Sequence, residues 1–109
     1  MKLVTIEYDP IKAIKRNSDF KIKTKDYTNI LYFFYKDDSC LYVGESMVSL
    51  YKRCFVNTPK EKDEPWFVKG NKVLIIQLDT INDKSLQMKK RHALEALFIV
   101  TNNPKYNKK

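Results

Sequence analysis

Two residues of this chain carry chemistry that their neighbours do not explain, Arg53 and Glu95. Arginine is scarce, three copies against eighteen lysines, so a surface needing only positive charge would have used lysine. A guanidinium adds a planar fork of donors that grips two oxygens of one phosphate. Arg53 falls at the border of an apolar stripe made by Met47, Leu50, Tyr51 and Cys54, from which its side chain can reach a cleft. Glu95 stands in a stretch, 93–100, that is otherwise apolar. A carboxylate there must be paired, protonated or metal-bound, because an isolated buried charge costs roughly several kcal/mol or more. Each residue also has a plainer role open to it. Arg53 can be a boundary arginine, and Glu95 can pair with Arg91 one turn earlier or with His92.

The elements that must position these groups start at Leu41-Tyr42-Val43-Gly44-Glu45-Ser46. An apolar run that stops at one of only two glycines, followed by serine and helical spacing, reads as strand, tight turn and helix. A second strand, residues 30–35, precedes it across an Asp-rich loop at 36–40, so Tyr32 and Tyr42 fall in neighbouring strands of a hairpin. Leu31, Phe33, Leu41 and Val43 share one parity and suit a core. Tyr32, Phe34 and Tyr42 share the other face if the loop has an odd number of residues. Before the hairpin, residues 2–8 alternate as a half-buried strand with Val4, Ile6 and Tyr8 inward, and Asp9-Pro10 caps a short helix. Lys21, Lys23 and Lys25 alternate with Phe20, Ile22 and Thr24, the pattern of a basic edge strand or a connector. After the hairpin, residues 57–70 form a polar excursion with Pro59, Pro65 and a charged run at 60–64, and Trp66 at its end reads as a lid over the core. Residues 73–79 are a central strand and 85–100 the principal helix, which Pro104 stops.

The chain has 109 residues, enough for one compact domain with a real core. Its formal charge of +8 favours a polyanionic partner, nucleic acid before an acidic membrane surface. No apolar run approaches a membrane span and the N-terminus lacks signal-peptide architecture, so the expectation is a cytoplasmic protein with no membrane partner. Cys40 and Cys54 are too few for a disulfide framework or a zinc cluster and are expected as free core thiols.

Taken together, Ile30-Leu31-Tyr32, Tyr42-Val43-Gly44, Arg53 in the next helix, Glu95 in a late apolar helix and Pro104-Lys105-Tyr106-Asn107 resemble the ordered motifs of the GIY-YIG nuclease family. The resemblance runs from about Asn29 to Asn107, with residues 1–28 as a strand-and-helix extension packed on a nuclease domain at 29–109. It implies an α+β fold, a small and mainly antiparallel sheet flanked by helices, and a metal-dependent endonuclease acting on DNA phosphodiesters. Glu95 would hold the metal, Mg2+ or Mn2+, and Arg53 the scissile phosphate. Tyr32 or Tyr42 would accept or relay the proton of the attacking water, Asn107 would position neighbouring groups, and Gly44 would make the backbone turn. Ile30 replaces the glycine of the first motif. Glu45 stands where some members have lysine and Asn57 where many have histidine or tyrosine, and these two with His92 are the accessory positions. The implied substrate is double-stranded or branched DNA, with a homodimer or a partner protein supplying specificity. The alternative on the same fold is a catalytically weak or inactive module that binds DNA or protein. A basic RNA-binding protein would fit the charge but leave Arg53 and Glu95 unexplained.

Overall fold

The computed structural model describes residues 1–57 and 59–107. Among them one four-stranded sheet forms from β1 (Lys2–Glu7), β2 (Ile30–Lys36), β3 (Ser39–Ser46) and β4 (Lys72–Gln77). Its strand order is β1-β4-β2-β3 and every pairing is antiparallel. Around it lie α1 (Pro10–Ala13), α2 (Asp19–Thr24), α3 (Leu50–Lys52), α4 (Pro65–Val68) and α5 (Lys84–Asn102), so the class is α+β, a small antiparallel sheet flanked by helices. α3 continues into a π-helical turn, Arg53–Asn57, and a 3-10 turn spans Pro59–Asp63. No described helix is long and apolar enough to cross a membrane.

The sheet is covered on both faces, which is why β2 and β4 are near-continuously apolar. Tyr32, Phe34, Val73 and Ile75 face one core with Leu50, Cys54, Trp66 and Phe67. Leu31, Phe33 and Val43 face a second core, closed by Leu94, Phe98 and Ile99 of α5. Each such side chain taken from water contributes about 1.5–3 kcal/mol. β1 is the edge strand beside β4, and Val4, Ile6 and Tyr8 point into the first core. Of the two free thiols, Cys54 is buried and Cys40 half-buried.

Several local readings are corrected. The hairpin turns on Asp37-Asp38 alone, with Asp37 at φ 53. A bulge follows, since Phe34 faces Tyr42 while Tyr35 faces Cys40. The extra residue, Leu41, is thereby turned onto the Tyr32 face and away from Val43. Gly44 is not a turn: β3 runs through it to Ser46, and the helical cap is Ser49, whose Oγ accepts from the Lys52 amide at 3.2 Å. The lysine-rich stretch after Ser18 is the helix α2, because Phe20 and Thr24 bury one face four residues apart and Ser18 caps it. α5 begins on the Asp83 cap and ends at Asn103 in the left-handed region, φ 47. Its second half is apolar on both sides but packed on one only, with Leu97 and Val100 exposed and Glu95 half-buried at the border of the packed stripe.

Candidate functional site

Gly44 explains how Tyr32 is accommodated. The two residues pair directly across β2 and β3, and the Tyr32 ring lies over the glycine. A Cβ at position 44 would come within 2.6 Å of the phenol oxygen, closer than real carbon atoms approach. The glycine is thus steric, giving up a side chain so that a fully buried phenol can cross the strand.

The Tyr32 hydroxyl meets the carboxylate of Glu61, with Oε1 3.5 Å away. Oε2 of that carboxylate lies 2.7 Å from Nε of Arg53. The Nε–H does not point at the oxygen, so this contact is an ion pair without a formed hydrogen bond. Nε is sealed from solvent while the Arg53 side chain as a whole stays 40% exposed. Burial raises the Glu61 carboxyl above its ordinary value, and the Arg53 guanidinium and the Tyr32 hydroxyl act against that rise. Burial also lifts the Tyr32 phenol far above 10, helped by the Glu61 charge.

Tyr42 lies beside this cluster, its ring centroid 6.2 Å from that of Tyr32. Trp66 stacks on it at 4.3 Å with planes 10° apart, so the tryptophan is a buried packing partner. Tyr42 and Glu61 line an open groove of about 480 Å³ together with Glu64, Pro65, Trp66 and Tyr106. The Tyr42 phenol is pushed up to about 12, first by burial, then by the carboxylates of Glu61 and Glu95, with Arg53 opposing. Glu95 therefore lies within the electrostatic reach of Tyr42 and Arg53, although neither it nor Arg53 lines the groove. Its own carboxyl is raised by burial and by Glu45, against His92, Arg53 and the Glu45 amide.

The partners that α5 could offer Glu95 are used elsewhere. Arg91 Nε donates to Glu45 Oε1 at 2.8 Å, Arg91 Nη1 donates to Asn29 Oδ1 at 3.0 Å, and His92 Nε2 lies 3.4 Å from Glu45 Oε2. Glu45 is thus a brace between β3 and α5. Asn57 ends the π-helical turn and is exposed. The Asn107 amide is spent on the backbone of Val43, accepting from its N–H and donating to its carbonyl, both at 2.8 Å. It fixes β3 beside Tyr42.

Glu61 is the residue that sequence reasoning passed over. It belongs to the run Lys60-Glu61-Lys62-Asp63-Glu64, whose composition describes a solvated loop, yet it is 8% exposed. Neither the composition nor the spacing of that run marks it. Among the described residues no group of three or more His, Cys, Asp or Glu side chains could enclose a metal. No family model matches the chain, and no curated protein and no solved structure matches it.

Proposed function

We propose that this protein is a metal-dependent DNA endonuclease that hydrolyses phosphodiester bonds, with Tyr42, Tyr32, Arg53 and Glu95 as its working groups and Glu61 holding Arg53. The observation that carries the reading is the diversion of Arg91 to Glu45 and Asn29, which takes from Glu95 the arginine its own helix provides. A half-buried carboxylate in that position, within reach of an arginine and a phenol, suits a divalent cation. Mg2+ keeps most of its waters and needs only one or two protein carboxylates, so the residues fit the ion. Once bound, it would neutralise charge on the phosphate.

Arg53 grips phosphate oxygens through the outer nitrogens of its fork while Glu61 holds the inner one. Its fixed charge stabilises the negative charge that develops as water attacks phosphorus. Tyr42, facing the groove, meets that water. A phenol at about 12 does not shed its proton in advance. It relays instead, taking a proton from water as it passes its own to a carboxylate, and Glu61 on the same groove is the acceptor. The raised affinity of Glu61 for protons suits that task. Asn107 and Gly44 act through position only. A chain of net charge +8 would bind duplex or branched DNA mainly through phosphates.

Conversion of supercoiled plasmid to nicked circles in Mg2+ or Mn2+ tests the proposal. Wild-type protein should nick, and Glu95→Gln should abolish nicking while retaining duplex binding. Absence of nicking by the wild type in either metal would remove the enzymatic reading. It would leave the alternative of a binding module on the same fold, which the raised phenols and the Glu61-bound arginine favour.

A further inference from the structure

On the side of α3 away from the Tyr32 cluster, three cations share a shallow groove with an aromatic ring. Arg16, Lys21 and Lys25 line it with Asn17, Ile22 and Tyr51, and it holds about 190 Å³. No carboxylate lines it, although Asp19 and Asp26 are close in sequence. Among the described residues none of the three cations forms an ion pair. The lysines are held by rings instead, Lys25 Nζ 4.6 Å over Tyr51 and Lys21 Nζ 4.9 Å over Phe55. A ring fixes an ammonium without cancelling its charge. Part of the ordering cost of binding an anion is therefore already met.

We infer that the groove of Arg16, Lys21 and Lys25 binds the sugar-phosphate backbone of DNA as a second contact beside the Arg53 site. Its size fits a phosphate better than a whole nucleotide or a small-molecule ligand. Its place is informative too. Tyr51 lies on α3 and Arg53 opens the π-helical turn that continues it two residues on, so the two side chains leave on roughly opposite sides and the groove and the arginine flank α3. A strand held at both must cross that helix, and α2 and the connection before it, which carry Arg16, Lys21 and Lys25, become part of the DNA-binding surface. The inference rests on the nucleic-acid part of the function proposed above and does not need cleavage.

The test is binding of a random-sequence duplex in EDTA, titrated with salt. The triple variant Arg16→Gln, Lys21→Gln, Lys25→Gln should lose about tenfold or more in affinity at about 0.1 M salt. Its slope of log affinity against log salt should be shallower by about 2 to 3, as loss of two or three phosphate contacts requires. A charge-matched control, Lys36→Gln, Lys89→Gln, Lys90→Gln, should lose no more than about threefold. Lys21→Arg with Lys25→Arg should bind as the wild type does, which separates charge from folding. Equal losses in the two triple variants would overturn the inference, as would a wild type that binds no duplex. Binding of phosphatidylserine vesicles that fails in the groove variant while its duplex binding is unchanged would overturn it in favour of a membrane surface. Duplex binding that depends on the groove in a protein that nicks nothing would uphold this inference and defeat only the enzymatic reading.

Discussion

Two arginine–glutamate pairs in this protein use the same functional groups in opposite senses. In the Arg91–Glu45 pair the cation is the buried partner, 7% exposed against 20%. In the Arg53–Glu61 pair the anion is buried, 11% exposed against 40%. Arg91 spends its donors inward, on Glu45 and on the Asn29 turn between α2 and β2, and ties α5 to the sheet. Arg53 sets its Nε against Glu61 and leaves 40% of its side chain exposed. The difference teaches that enclosing the cation ties two elements together, whereas enclosing only the anion leaves a guanidinium at the surface, the arrangement that the proposed function needs.

The largest effect should come from breaking the lock. Arg91→Met leaves Glu45 without its arginine and with the like-charged Glu95 nearby, and loss of one partner of a buried pair costs about 3–5 kcal/mol. Chemical denaturation should show that loss, and a change under about 1 kcal/mol would mean that the pair is no lock. Next in size, Arg53→Lys keeps the charge and loses the fork. Cleavage should fall by about 10²–10³ while the denaturation midpoint hardly moves, and the reverse pattern would turn Arg53 into a second structural arginine. The smallest effect is a pH dependence. Burial raises the Glu61 carboxyl above its ordinary 4.5, so between that value and the folded one the native state binds more protons than the unfolded chain. Stability then falls as pH rises through that window. Tm measured against pH should show this decline in the wild type and a flatter curve in Glu61→Gln, whereas parallel curves would mean that Glu61 is not held as described.

What could be read in the chain follows from how local the cause is. Strands β2 and β4 and helix α5 announce themselves because both faces of the sheet are buried and the periodicity needs no partner to interpret. Leu41 was placed on the wrong face because one inserted residue in a hairpin reverses everything before it, and no residue type marks this bulge. The α2 helix was read by alternation of lysine although Ser18, Phe20 and Thr24 already held a cap and a four-residue repeat, so the signal was present and outweighed. Glu61 differs in kind. Its burial depends on where the 59–63 turn folds back against Arg53, a contact that neither composition nor spacing encodes. Gly44 reads as a turn residue but lies inside β3, and the demand on it comes from a ring twelve residues away.

The C-terminal segment that meets β3 has a further consequence. The Lys105 amide donates to Cys40 O at 3.2 Å, the Tyr106 amide donates to Leu41 O at 2.8 Å, and the Asn107 amide exchanges two bonds with Val43. Three irregular residues thus occupy hydrogen-bonding positions that an added strand would use. An uncovered sheet border is a template on which another chain can pair, and through it a route to aggregation. Residues 105–107 act as a selvedge, finishing the border of β3 so that the sheet does not extend into its neighbours.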